Sequence, residues 1–386
     1  MTVVGLRALG YAHGLSMKRV LIFTAGYGEG HNAAARGLAA ALTEAGAEAE
    51  VRDLFMETYG RRQAISQRLY IDCINHAAPL WALIYRALDR TSLMRAILPT
   101  LGGLQRKLAD VLAERKPSAI ASVYPVYGWL LDRMYPDGKR PFASHTIVTD
   151  SITVNSVWLR FRSDSWIVPN EATAEVVRRA VPPERVHALG FPVPLKFADS
   201  KTVRTPPAEG VPGEPLRVFY MVNADHQQAA RLVRRLLEIP RVELTVAYGK
   251  DEAIGRAIAA AAEEIGRAVE LHGWTPLVPE LLMRNHILIG KAGGAATQEA
   301  IAAKTPMIIT KAVPGQEEGN ARLIVENECG ALCETDDTIV ETITLAGENN
   351  AALWHRWHES ITKLSRPNAS RDIARFILAD ELSVES

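Results

Sequence analysis

Cysteine is scarce, with three in 386 residues: Cys73, Cys329 and Cys333. Cys329 and Cys333 lack the second Cys or His pair that a zinc site requires, so reduced thiols of a cytoplasmic protein are expected. An excess of either charge is also missing. The 44 basic residues balance the 44 acidic ones, which argues against a nucleic-acid binder and against a disordered acidic protein. No run approaches the roughly 18 apolar residues that span a bilayer, so membrane contact would be peripheral. Residues 1–16 carry Arg7 and a mildly apolar stretch, without a long hydrophobic region or a clear cleavage pattern. Met17, just before the first strand, is an alternative start.

What is present is length and alternation. A chain of 386 residues suits two domains, each with its own core. Arg19–Phe23 reads as a strand, followed by a glycine-rich turn and an alanine-rich helix over Asn32–Ala45 that stops at Gly46. Further strands are expected around Val51 and over Ala119–Val123, His145–Val148 and Trp166–Val168, with helical patterns between several of them. Gly190–Pro215 is crowded with proline and reads as a linker. Beyond it the alternation restarts, with strands at Arg217–Val222, Val242–Ala247, His286–Ile289 and Met307–Thr310. Helices are expected at Gln227–Leu237, Glu252–Arg267, Thr297–Ala303 and Gly319–Glu326. The fold class is α/β: two doubly wound, Rossmann-like domains facing a central cleft, where the carboxyl ends of the strands would meet a ligand.

The run from Ile287 to Glu299 is a buried strand, a glycine turn and a helix start. Lys291, Gly293, Gly294, Ala295 and Thr297 leave backbone amides open to an anion, and the helix dipole favours a phosphate there. A tight turn whose glycines serve only packing is the plainer alternative. Glu299, one turn into the helix, is placed to accept hydrogen bonds from ribose hydroxyls. Pro314–Asn320, with Gln316, Glu317 and Asn320, supplies polar groups suited to sugar hydroxyls, or is a solvated helix start with acids on its dipole. Gly273 and Trp274 lie in a loop that could present backbone groups to a base edge, with a core anchor as the alternative for Trp274.

Taken together these segments resemble the monogalactosyldiacylglycerol synthase and processive diacylglycerol glucosyltransferase family, which is similar in turn to the peptidoglycan lipid N-acetylglucosaminyltransferase. The resemblance rests on Thr24–Ala35 (T-A-G-Y-G-E-G-H-N-A-A-A), Val148-Thr149-Asp150, Val168–Glu171, Leu189–Val193, Gly273-Trp274, Lys291–Glu299, Pro314–Asn320 and Arg366–Ala369, in family order over nearly the whole chain. K-A-G-G followed by P-G-Q-E-x-G-N is the specific pair. The resemblance implies a glycosyltransferase of the B architecture, with a UDP-hexose in the second domain, a lipid acceptor in the first, and inversion at the anomeric carbon. It implies an acceptor and membrane-binding domain over 17–192, completed by a returning helix within 366–386, and a donor domain over 193–365. By position Gly293 and Gly294 would face the diphosphate, Glu299 the ribose, and Gln316 and Glu317 the sugar.

An inverting transfer needs a base for the acceptor hydroxyl, and histidine titrates in the useful range. Tyr27, Gly28 and Gly30 lie at the end of the first strand on the acceptor side, with His31 as the first choice of base. Asp150 is the second choice, or an orienting partner for the imidazole. The chain has no D-x-D aspartate pair, so a metal-independent mechanism is expected, with no cofactor and the UDP-sugar as co-substrate; helix dipole and amides would carry the diphosphate charge.

Phe55–Lys116 interleaves Trp81, Leu83, Ile84, Leu88, Leu93, Met94, Ile97 and Leu98 with Arg61, Arg62, Arg68, Arg86, Arg90, Arg95, Arg106 and Lys107. Such a surface suits an anionic membrane, unless the apolar residues are core and the arginines a solvated face. The expected location is cytoplasmic, peripheral at the inner face of the cell membrane. Two departures stand out from the family pattern: Asn223-Ala224-Asp225-His226 replaces a glycine-rich loop, and Asn285-His286 stands where relatives often have aspartate. The alternatives are a non-catalytic sugar-nucleotide-binding or membrane-interaction protein, a transferase acting on another lipid, and an epimerase on the same architecture.

Overall fold

The computed structural model of the chain describes residues 17–63, 65–67, 77–91, 93–201, 204–208, 213–315 and 317–380. Residues 1–16, Arg68, Cys73, Pro212, Gln316 and residues 381–386 of the expected returning segment therefore lie outside the described residues.

Two six-stranded sheets result, and every strand pair in them is parallel. The first contains β1 (Arg19–Phe23), β2 (Glu48–Arg52), β3 (Ala119–Ser122), β4 (Ala143–Ile147), β5 (Ser165–Ile167) and β6 (Val186–His187), in the order β2-β1-β3-β4-β5-β6. The second contains β7 (Leu216–Met221), β8 (Val242–Gly249), β9 (Glu270–Gly273), β10 (Ile287–Lys291), β11 (Met307–Lys311) and β12 (Gly330–Leu332), in the order β12-β11-β10-β7-β8-β9. The central strands are continuous apolar runs, Arg-Val-Leu-Ile-Phe in β1 and Ile-Leu-Ile-Gly in β10, as both faces of a parallel sheet are covered by helices. Strand order reverses between β1 and β3 in the first sheet and between β7 and β10 in the second. Ligand crevices form at such switch points.

Around the first sheet lie α1 (Glu29–Glu44), α2 (Leu54–Tyr59), α3 (Ala78–Arg90), α4 (Leu93–Ile97), α5 (Gly102–Arg115), α6 (Pro125–Met134), α7 (Glu171–Val177) and the short α8 (Lys196–Asp199). Around the second lie α9 (His226–Glu238), α10 (Glu252–Ile265), α11 (Val278–Arg284), α12 (Gly294–Ala302), α13 (Glu318–Glu326), α14 (Asp336–Gly347) and α15 (Ala352–Leu364). The last helix, α16 (Ala369–Asp380), returns to the first sheet and packs along α1. Its Ile373 and Ile377 are fully buried with Leu38 and Leu42 of α1 in a core cluster that also takes in Leu288 and Ile309 of the second sheet.

The proline-rich segment expected to be a linker is anchored rather than loose. Arg204 donates to the carbonyls of Leu282, Met283, Ala303 and Lys304 and to Thr305 Oγ1. Burial lowers its pKa to about 10.

Candidate active site

The two switch points face each other. α1 begins at Gly28, whose φ of 129° is available to glycine and which contributes no side-chain cap. α12 begins at Gly293, again without a side-chain cap. The first turns of the two helices meet head to head: a Cβ on Gly30 would lie 3.8 Å from the Ala295 amide nitrogen. Two positive helix ends with unsatisfied amides therefore open on the same crevice, an arrangement relieved by an anion between them.

His31 sits in the first turn of α1, half-buried at the surface. Its Nδ1 is 3.1 Å from Thr149 Oγ1, and its ring meets Tyr124 edge-on at 5.1 Å. Desolvation lowers its pKa to about 4, offset in part by a hydrogen bond to the Val123 backbone. The imidazole is thus neutral at pH 7. Thr149, rather than Asp150, is the direct hydrogen-bond neighbour of the ring. Asp150 Oδ2 instead accepts from Trp158 Nε1 at 2.9 Å, and the indole lies 6.1 Å from the imidazole. Burial pushes the Asp150 carboxyl up to about 6, opposed by the Trp158 hydrogen bond. Tyr27 flanks this site, stacked on Tyr124 and with its hydroxyl 3.1 Å from Gln63 Oε1.

On the opposite wall, a Cβ on Gly294 would come within 3.3 Å of the Thr149 carbonyl oxygen, so glycine permits the approach of the two domains there. Lys291 Nζ is 2.8 Å from Glu317 Oε1, while Glu317 Oε2 accepts from the Val313 amide. Glu317 is therefore a buried strut of its own loop, with Lys291 partly exposed above it. Asn320 donates from Nδ2 to the Ala292 carbonyl, and its buried Oδ1 has no partner among the described residues. Thr297 is buried in the helix against Met307. Glu299 is carried on α12 with its carboxyl pushed up to about 7 by desolvation, opposed by the charge of Arg36 on α1. Gly273 packs beside the Tyr248 hydroxyl, and Trp274 is 66% exposed, which excludes the core-anchor alternative for its indole.

The loop after β7 is closed to an anion by its own side chains. Asp225 caps α9, accepting from the amides of Gln227 and Gln228, and Asn223 exchanges hydrogen bonds with Thr310 across the ends of β7 and β11. The missing glycines thus have a structural counterpart: a carboxylate occupies the amides that a glycine loop would leave open. His286 is explained as well. It is buried, bonded to the Arg217 amide and the Thr205 carbonyl, and desolvation lowers its pKa to about 3. Asn285 donates to the Leu281 carbonyl at the end of α11. Among the described residues no group of three or more His, Cys, Asp or Glu could hold a metal ion.

In the region read as membrane-facing, Met94 and Leu98 are core. Leu80, Leu83, Ile84 and Leu93 are exposed, at 53%, 64%, 36% and 37%. Arg86, Arg90 and Arg95 are exposed among them. The opposite side of α3 is held to the first domain by Asn155, which donates to the Tyr85 carbonyl, and by Asp89, which accepts from the Ser156 amide. Tyr85 also packs on Gly315 of the second domain. No helix among the described residues is long and apolar enough to cross a membrane.

Two parallel, doubly wound domains whose switch points share one cleft define the glycosyltransferase B architecture. The fold is similar to those of Acinetobacter baumannii MurG (TM-score 0.59, 16% identity, 94% of this chain and 99% of that one) and of Staphylococcus aureus MnaA with UDP (TM-score 0.59, 14% identity, 96% and 98%). Within that class, residues 31–193 match the family model of monogalactosyldiacylglycerol (MGDG) synthase. The processive diacylglycerol beta-glucosyltransferase of Bacillus subtilis is 24% identical over 370 residues, covering 94% of this chain and 95% of that protein. Its Bacillus mycoides counterpart is 25% identical over 374 residues, 94% of each. The resemblance carried by the sequence motifs is thereby confirmed.

Proposed function

We propose that the protein is an inverting, metal-independent hexosyltransferase that moves a hexose from a UDP-sugar to a diacylglycerol-type lipid, in glycolipid synthesis. The observation that carries this reading is the meeting of the neutral His31 imidazole with the uncapped turn at Gly293 and Gly294 across a single cleft. The lipid hydroxyl gives its proton to His31 while its oxygen attacks the anomeric carbon from the face opposite the diphosphate. The bond to the diphosphate breaks in the same displacement, and UDP leaves with the electron pair, held by the α12 amides and Lys291. Asp150, pushed up to about 6, is ionised at pH 7 and lies behind Trp158, where it favours the imidazolium that forms. Glu299 takes the ribose hydroxyls, Gly273 and Trp274 the base, and Gln316, Glu317 and Asn320 the sugar; Tyr27, Gly28 and Gly30 line the acceptor side. The absence of a D-x-D pair supports a reaction without a metal.

In this reading residues 17–192 with the closing helix form the acceptor and membrane-binding domain, and 193–365 the donor domain. The exposed apolar row of α3 with its arginines rests on an anionic lipid surface. The protein is then cytoplasmic and peripheral at the inner face of the cell membrane.

The test is incubation with detergent-dispersed diacylglycerol and radiolabelled UDP-glucose or UDP-galactose. Labelled glycolipid is expected, and His31→Ala should lower turnover by about 10²-fold or more while sparing UDP binding. UDP binding without labelled lipid would favour a non-catalytic binder. Interconversion of the sugar nucleotide without lipid would favour an epimerase.

A further inference from the structure

Thr149–Thr153, the loop leaving β4, is shared between the two domains residue by residue. Towards the first domain, Thr149 Oγ1 holds His31 Nδ1, Asp150 holds Trp158, and the Ile152 amide donates to Thr173 Oγ1 at 3.0 Å. Towards the second, Ser151 Oγ accepts from Gln298 Nε2 at 3.0 Å, and Thr153 Oγ1 accepts from the Gly319 amide at 3.0 Å. Gln298 and Ser151 are both buried. Glu317, the N-cap of α13, supplies no side-chain cap, so the Thr153 hydroxyl caps that helix from the other domain. Ile152, a β-branched residue, sits at φ 58° between these contacts. A backbone geometry of that kind persists where its surroundings over-determine it.

The fit is tightest at Gly319. A Cβ there would fall onto the Ser151 carbonyl oxygen and lie 2.6 Å from Thr153 Oγ1 and 2.7 Å from the Thr153 nitrogen, all three across the domain boundary. Nothing nearer within the donor domain meets it.

We infer that this loop couples closure of the donor domain to the base: Gly319 and Gln298 seat it, and Thr149 is the positioning residue that sets His31 when it is seated. The inference rests on His31 being the base. Gln298, Ser151, Thr153 and Gly319 touch the reaction only through that loop.

Gly319→Ala is the decisive variant. Alanine is the better helix former, so the donor domain keeps its fold and its UDP site, while the added methyl forbids the seated loop. The expected result is UDP affinity within about twofold of the parent, a retained cooperative melt with a modestly lower Tm as the buried Gln298–Ser151 contact opens, and kcat lower by at least about tenfold. Thr149→Val should lower kcat about tenfold with little change in KM for the UDP-sugar, and should displace the acidic limb of the kcat pH profile. Thr149→Ser, which keeps the hydroxyl, should restore both. Parental kcat in Gly319→Ala, or a parental pH profile in Thr149→Val, overturns the coupling. His31→Ala measured alongside separates the two ideas: if it retains turnover the base assignment fails, and if it is inactive while Thr149→Val behaves as the parent only the coupling fails.

Discussion

Glu299, the residue proposed to take the ribose hydroxyls, carries a cost for stability. Its carboxyl is pushed from the ordinary 4.5 up to about 7 because α12 and the facing α1 remove it from water, with the charge of Arg36 as partial relief. A folded-state pKa above the unfolded one means that the protonated form is favoured in the fold. That contribution is fully present below about 4.5 and is lost as pH rises through about 7. Glu299→Gln should therefore raise the stability of the protein without nucleotide at pH 8, by about 1–2 kcal/mol after allowance for its partial exposure, and have little effect at pH 4. Thermal melts at the two pH values check this. The same variant should weaken UDP binding, because ribose hydroxyls donate better to a carboxylate than to an amide. The position of Glu299 on the helix after a glycine turn was legible in the sequence. Thr149 lies within a motif, yet nothing local marks it as the group beside His31, 118 positions away. Gln298 and Ser151 gave no signal at all, since a pair separated by 147 residues is created by domain packing alone.

Among the elements, the long apolar strands and alanine-rich helices were readable, and the structure extends most of them by a residue or two. The helix expected from Asn32 starts at Glu29, so that His31 lies in its first turn. The short strands β6, β9 and β12, of two to four residues, escaped notice. All three are edge strands, where pairing to a formed sheet rather than intrinsic pattern fixes the strand. α3 illustrates the limit of composition. Its basic and apolar mixture was visible, but only the fold separates core positions such as Met94 and Leu98 nearby from the outward Leu80, Leu83 and Ile84. Leu83→Glu should leave Tm unchanged, because the side chain is 64% exposed. It should also weaken binding to vesicles of anionic phospholipid by roughly tenfold, through lost apolar burial and added repulsion. Sedimentation with vesicles of defined charge measures it.

At the scale of the molecule, two doubly wound sheets were foreseen from alternation, whereas the behaviour of the connecting segment was not. Proline content marked Gly190–Pro215 as a boundary, and the structure turns its middle into an anchor through Arg204. Five acceptors, from α11 and from the turn between α12 and β11, converge on one guanidinium. Arg204→Ala should destabilise the protein by about 3 kcal/mol, since buried carbonyls lose their donor. Arg204→Lys should recover only part of that, because an ammonium cannot reproduce the planar fork. Denaturant unfolding of the three proteins gives the comparison.

The return of α16 to α1 has a consequence for how the protein is made. Ile373 and Ile377 complete the core against Leu38 and Leu42, so this part of the first domain waits for α16 to be synthesised. During synthesis the part of α1 that α16 covers stays open while some 320 further residues are added, at roughly 5–20 residues per second. For that interval the nascent first domain presents an open hydrophobic seam, and its protection is a matter for chaperones or for an early, provisional collapse. Cutting the chain before Ala369 would leave that seam permanently exposed, so the two halves cannot be expressed as independent pieces simply by dividing the sequence at its proline-rich boundary.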